Sequence, residues 1–220
     1  MKTLVLIPAY NAADTIVPLI EAVRSQSVEA DVLVVDDGSS DGTAELVEKQ
    51  SVICLRQAQN QGKGAALRRG FGYAVEHEYK LVVTLDSDLQ HDPAELPTLL
   101  AAVKESGGVV IGRRERRKPM PWQRRVSNYL VSQMTSWAAG QRLPDAQCGY
   151  RVLPVSMFRQ IPLSSKHYEM EMELLIKAGR AGYKIDSIPI KTVYTGSQSS
   201  IRPSRDTIRF LLMLIRSLFW

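Results

Sequence analysis

Two cysteines and three histidines in 220 residues are too few for a disulfide framework or a Cys/His zinc site. Cys54 and Cys148 show no CxxC spacing, and two scattered thiols fit burial as small apolar residues in a reducing cytosol. Long apolar runs are missing as well. No stretch approaches the roughly 20 apolar residues that a membrane span needs. The N-terminal apolar segment is broken by Pro8, so residues 3–7 read as a first strand rather than a signal peptide. Internal repeats, low-complexity tracts and linkers are absent, which points to one domain. No recognised nucleic-acid motif accompanies the basic residues, so nucleic acid is not an expected partner.

The composition that remains is globular, with 45% hydrophobic and 23% charged residues. Lys and Arg number 28 against 23 Asp and Glu, a net +5 that suits anionic partners such as nucleotides or lipid phosphates. Short apolar runs at 3–7, 31–35, 52–55, 80–85 and 109–111 alternate with helical patterns at 14–25, 42–49, 62–76 and 93–104. That alternation predicts βαβ units around a parallel sheet covered on both faces. Ligands of such sheets bind beyond the carboxyl ends of the strands. The polar residues that follow each run are therefore expected to converge on one crevice. After 109–111 a basic loop, 113–118, leads into helices at 122–139 and 168–181, a strand at 184–190 and a final helix at 206–220.

Three motifs carry chemistry. Leu85-Asp86-Ser87-Asp88-Leu89-Gln90 ends an apolar strand, where a bend lets two carboxylates spaced i, i+2 reach one hard cation, Mg²⁺ or Mn²⁺. Taken alone, the same segment reads equally well as a solvated turn with Asp92 capping a helix. Asp36-Asp37-Gly38-Ser39 closes the second strand, and carboxylates there accept hydrogen bonds from a nucleobase or a ribose hydroxyl. Asn60-Gln61-Gly62-Lys63-Gly64-Ala65 is neither a Walker A loop nor GxGxxG, but a small-residue helix start that lets backbone N–H groups approach a ligand.

Together these segments resemble the catalytic domain of glycosyltransferase family 2, with its GT-A fold. The matching pieces are IPAYNAADTI (7–16), VVDDGSSDGT (34–43), NQGKGAAL (60–67), LDSDLQHDP (85–93), VVIGRRE (109–115), DAQCGYRVL (145–153) and IDSIPI (185–190). Within the family the chain looks most like the polyprenyl-phosphate hexosyltransferases of the dolichol-phosphate-mannose synthase type. The resemblance implies an α/β, Rossmann-like three-layer sandwich over residues 1–205, and residues 206–220 read from their own pattern as an appended amphipathic helix. It implies metal-dependent, inverting transfer of a hexose from a nucleotide sugar of the GDP-mannose or UDP-glucose type to a polyprenyl phosphate. Transfer to a glycan or small-molecule hydroxyl is the alternative.

By the same resemblance, Pro8, Ala9, Tyr10, Asn11, Asp36, Asp37, Gly38, Lys63, Asp86, Ser87 and Arg114 face the nucleotide sugar. Asp36 or Asp37 takes the base and ribose, and Arg113 competes with Arg114 for the phosphate-facing position. Asp86, Asp88 and Gln90 hold the metal, Mg²⁺ or Mn²⁺. Asp88, Asp145 and Glu171 are the catalytic candidates, with Glu169 and Glu173 sharing the register ambiguity of Glu171. A polyprenyl phosphate is already anionic near neutral pH and needs cations, whereas a hydroxyl acceptor needs a carboxylate base such as Asp145. The tail spaces Ile208, Leu211, Leu212, Ile215, Leu218 and Phe219 along one helical stripe flanked by arginines, as in helices that lie on a membrane. This predicts a peripheral enzyme on an anionic membrane surface at the cytoplasmic face, with packing on the domain or on a second copy of the chain as the other use of the helix.

Overall fold

A computed structural model describes residues 1–114, 122–191 and 203–220. Among these, seven strands form one sheet: β1 (Thr3–Ala9), β2 (Asp31–Asp36), β3 (Ile53–Arg56), β4 (Leu81–Thr84), β5 (Val109–Arg114), β6 (Arg151–Pro154) and β7 (Ile185–Ile190). Their order is β3-β2-β1-β4-β6-β5-β7. Neighbours run parallel except at β6, which lies antiparallel to both β4 and β5. The sheet is therefore mostly parallel, as the alternating pattern predicts.

Alternation along each strand feeds two cores. Leu4, Leu6, Leu33, Val35, Val82 and Ile111 face α3 (Lys63–Glu76) and α6 (Glu169–Arg180). Val5, Ile7, Val32, Val34, Val83 and Val110 face α1 (Ala13–Arg24) and α4 (Leu96–Ser106). Both faces of each central strand are thus apolar, which is why the runs read as continuous rather than alternating. Each fully buried Leu or Ile contributes about 1.5–3 kcal/mol, and these two layers set the three-layer architecture. Between them in sequence lie α2 (Thr43–Glu48) and α5 (Trp122–Ala139), and α7 (Pro203–Ser217) closes the chain's helices. A third, smaller core joins α5, α6 and α7 through Ala138, Met172, Ile176, Phe210 and Met213.

Two elements differ from the sequence expectation. Strand β6 has only four residues and opens on a buried arginine, so no apolar run announces it. Strand β5 continues past Ile111 through Arg114, pairing Arg113 with Pro189 and Arg114 with Ile190. Both arginines are thus strand residues, not the start of a loop. Arg116, Arg117 and Lys118 of the expected basic loop lie outside the described residues.

Helix α6 is anchored at its preceding loop by Glu173, which is fully buried. Its carboxylate accepts from the Ser164 N–H and hydroxyl, the Ser165 N–H at 2.8 Å and the Lys177 ammonium at 2.7 Å. Burial opposes the charge, but Lys177 and the serine donors outweigh it and hold the carboxyl below its ordinary 4.5. A carboxyl depressed in the folded state stabilises the protein above pH 4.5 and loses that contribution as pH falls through the folded value. Glu173→Gln is expected to cost about 1–3 kcal/mol at pH 7. Urea unfolding across the acid range will show a shallower pH dependence for the variant than for the parent. Equal slopes would mean that Glu173 does not couple stability to pH.

Candidate active site

The parallel strands β1, β2, β4 and β5 all end on the same side of the sheet, and β6, running the other way, begins there. The segments after β1, β2 and β4 thus meet the segment before β6, residues 145–150, in one crevice. At the end of β2, Asp36 is buried and its carboxylate accepts from the Ser39 N–H. Asp37 is turned inward, accepting from Gln61 N–H and Gly62 N–H at 2.8 Å each and from the Gln57 amide at 2.6 Å. Burial raises the Asp37 pKa against the pull of those donors. The carboxylate therefore pins the 57–62 loop to the sheet. Gly38, at φ +72°, sits against the Gln59 backbone, where an added Cβ would fall within 2.6 Å of a carbonyl carbon.

Asn11, in the left-handed region at φ +49°, ties the end of β1 to this turn. Its N–H donates to the Ser39 hydroxyl and its side-chain carbonyl accepts from the Ser40 N–H. Pro8 and Ala9 are buried in β1, while Tyr10 is exposed at its tip. Asp36, Gly38, Ser39, Arg56, Gln57 and Ala58 line a hollow of about 420 Å³ beside them. Arg56 is held there by Glu45 and Glu48.

The centre of the crevice is ionic. Lys63, the first residue of α3, places its ammonium 2.7 Å from Asp86 Oδ1 and 3.0 Å from Glu171 Oε2. Glu171 also faces Arg151 at 3.6 Å, and that arginine donates to the carbonyls of Ala146, Cys148 and Glu171. Of the three glutamates in the acidic run, Glu171 is the one that reaches this centre. Glu173 is committed to the 164–165 loop, and Glu169 keeps a buried oxygen without a partner.

Burial works against charge on Asp86, yet Lys63 and His91 keep its carboxyl below the ordinary range. Asp88 moves the other way, raised by burial and by the neighbouring Asp86 charge. A divalent cation fits this donor set: two carboxylates of one turn repel each other, and Gln90 follows in the same turn. The turn is strained. Leu89 adopts φ +58°, and the Gln90 N–H donates back to Asp88 Oδ1 at 3.0 Å. Ser87 lies half-buried within it.

On the far side, Arg114 grips Asp145 through two parallel hydrogen bonds of 2.8 Å, and its backbone N–H adds a third. Burial disfavours the guanidinium charge, but the Asp145 carboxylate more than compensates and raises its pKa. Arg114 and Asp145 also line an open cleft of about 600 Å³, with Arg113, Arg142, Tyr129 and Ser136 among its other walls. Tyr129, Ser136 and Arg142 carry no motif, so sequence reasoning passed over them.

Gly149 and His91 were also missed as separate residues, although both lie inside quoted motifs. A Cβ at Gly149 would strike the Asp86 carboxylate directly. His91 is buried against the Tyr150 ring, with centroids 5.7 Å apart, and neither His91 Nδ1 nor the Tyr150 hydroxyl has a partner. Burial lowers the His91 pKa. Gly149→Ala is expected to push Asp86 off its position and cut turnover roughly a hundredfold, the usual cost of a displacement near 1 Å. Steady-state kinetics beside thermal unfolding will separate this from misfolding, and unchanged turnover would mean that Asp86 need not sit where it does.

Residues 4–164 match the model of the family described as Glycosyl transferase family 2. The chain is 33% identical over 209 residues to an undecaprenyl-phosphate mannosyltransferase of Micrococcus luteus, covering 88% of this chain and 84% of that protein. It is 30% identical over 202 residues to a polyprenol monophosphomannose synthase of Mycolicibacterium smegmatis, covering 86% and 76%. Among solved structures, glucosyl-3-phosphoglycerate synthase of Mycobacterium tuberculosis, determined with Mn²⁺, uridine diphosphate and phosphoglyceric acid, superimposes with a TM-score of 0.74. That match covers 99% of this chain and 77% of the other at 21% identity, which fixes the GT-A fold. The crevice, the fold and the sequence agree: this chain is a glycosyltransferase and belongs to glycosyl transferase family 2.

Proposed function

We propose that the protein transfers a hexose from a nucleotide sugar, of the GDP-mannose or UDP-glucose type, to a polyprenyl phosphate with inversion at the anomeric carbon. One observation carries the choice of acceptor: Asp145, the carboxylate best placed to act as a base, is held by Arg114 through paired hydrogen bonds at the arginine-lined cleft. Arginines and an engaged carboxylate suit an acceptor that arrives already ionised. A phosphate monoester near neutral pH needs no strong base, only cations that offset its repulsion from the donor diphosphate. The names of the two relatives support the same acceptor class and favour mannose as the sugar.

In this reading the nucleoside occupies the hollow beside Asp36 and Gly38, near Tyr10 and Asn11. The acceptor phosphate enters the opposite cleft and Arg114 faces it. An acceptor oxygen attacks the anomeric carbon as the bond to the diphosphate breaks, and the electron pair leaves with the nucleoside diphosphate. Asp86, Asp88 and Gln90 would hold Mg²⁺ or Mn²⁺, which supplies a Lewis acid for the charge on that leaving group. Lys63 adds a fixed cation beside Asp86. Glu171 holds Lys63 from behind, so its part is positioning. The enzyme works as a peripheral protein at the cytoplasmic membrane face. No helix of the described residues is long and apolar enough to cross a membrane.

The deciding assay is a panel of nucleotide sugars with polyprenyl phosphate and Mg²⁺ or Mn²⁺, read as labelled lipid product. Asp88→Ala is expected to lower turnover by at least about a hundredfold at saturating metal, the size of a metal's electrostatic contribution, with the fold intact by circular dichroism. Transfer only to hydroxyl acceptors would overturn the acceptor assignment. Near-native turnover of the variant would overturn the metal assignment.

A further inference from the structure

In the hollow beside the end of β2, one wall has its hydrogen-bonding sense fixed by the chain itself. Gln57 follows β3, and its backbone N–H donates to the Asp36 carbonyl at 2.8 Å, which sets the two residues side by side across the strand ends. Both line the hollow. The Gln57 side-chain amide donates to Asp37 Oδ1 at 2.6 Å. An ionised carboxylate only accepts, so the end of the amide that meets Asp37 is its NH₂ group. Asp37 cannot turn away, because the Gln61 and Gly62 N–H groups hold its two oxygens at 2.8 Å each. The amide is therefore locked, and its carbonyl oxygen is the end left for a ligand. Asp36 supplies a second acceptor on the same wall. Its side chain is buried, and among the described residues its donor is the Ser39 N–H, shared between both oxygens at 3.4 and 3.3 Å. A carboxylate with so long a contact has room for a strong donor. Arg56, on the same hollow, is turned to Glu45 and Glu48.

We infer that Gln57 reads the base of the donor nucleotide and, together with Asp36, selects guanine over uracil. The inference rests on the nucleotide-sugar donor proposed above and chooses between the two donor types named there. Two acceptors side by side fit a base edge that carries two adjacent donors. Guanine has such an edge, with its ring N1–H beside the N2 amine. Uracil does not. Its single ring N–H is flanked by a carbonyl on each side, so whichever way the base lies, a carbonyl oxygen meets the second acceptor. Adenine and cytosine each place one amine beside a bare ring nitrogen, which would face Asp36 or Gln57 with a lone pair. In the guanine complex Asp36 takes N1–H in a charge-assisted hydrogen bond, and the Gln57 carbonyl takes the amine. Selection comes more from the mismatch than from the match. Two acceptors forced together in a hollow lose their water and gain no partner, which costs more than a hydrogen bond gains.

The test is titration calorimetry of the full chain in Mn²⁺ with GDP, inosine diphosphate (IDP) and UDP. All three carry the same ribose and diphosphate, so metal and phosphate contacts cancel in their ratios. IDP keeps the N1–H of guanine and lacks only the amine. GDP should bind about tenfold tighter than IDP, the effect of one lost hydrogen bond. It should bind at least about a hundredfold tighter than UDP, whose carbonyl meets an acceptor. In Gln57→Met, which keeps the side chain's length and removes its carbonyl, GDP and IDP should bind within about twofold of each other. Gln61 and Gly62 still hold Asp37 in this variant, and a merely structural role would weaken all three nucleotides alike. A parent that favours UDP, or binds GDP and IDP equally, would overturn the inference without any variant. A GDP-to-IDP ratio that Gln57→Met leaves unchanged would overturn the role of Gln57. A chain that binds none of the three would overturn the nucleotide-sugar reading itself. Guanine-selective binding with transfer only to hydroxyl acceptors would overturn the acceptor reading and leave the base assignment standing.

Discussion

One half-buried cation holds the crevice in shape. The Lys63 ammonium joins the start of α3, the end of β4 and the first turns of α6 by reaching both Asp86 and Glu171. Two carboxylates and a lysine drawn from water repay their desolvation only when all three are present. Removing one partner of such a group is destabilising, because the charges left behind remain shielded from water without a counter-charge. Arg151 completes the arrangement from β6, spending its donors on the 146–148 carbonyls and the backbone of α6. The elements that carry the chemistry are thus locked to each other by charge, while the sheet beneath is held by apolar packing.

The apolar part of this design was readable from sequence. Strands β1, β2 and β4 follow their Val, Leu and Ile runs because both faces are buried, and the helices between them follow their own periodicity. The polar part was less so. Strand β6 is four residues long and begins with Arg151, so it carries no hydrophobic signature, yet it delivers Gly149 to the Asp86 carboxylate. Glu169 and Glu173 lie one turn apart on one face of α6 and Glu171 on the other, and no local rule says which face meets the crevice. Glu171 is distinguished by Lys63, 108 residues away in sequence.

The two sides of the crevice solve different electrostatic problems. On the β1–β2 side, Asp37 spends its charge on the chain's own amides, making a rigid wall from a loop that has few apolar anchors. On the β5 side, Arg114 and Asp145 neutralise each other but leave Arg113 and Arg142 lining the same cleft, so its wall stays net positive. A small cluster of negative charge, Asp86 and Asp88, is thereby set between a neutral wall and a cationic one.

The reversed strand also governs the order in which the sheet can be assembled. β5 touches the rest of the sheet only through β6 and β7, both of which come later in the chain. While the chain emerges from the ribosome, residues 1–84 can close the β3-β2-β1-β4 half, the connection from β3 to β4 crossing over β2 and β1. β5 must then wait, without a strand partner, until residues 151–154 arrive to bridge it to β4. The segment that completes the catalytic crevice is therefore the one that ends this vulnerable interval in biosynthesis, and an enzyme whose β5 has been joined to the sheet necessarily has the 145–150 wall at hand.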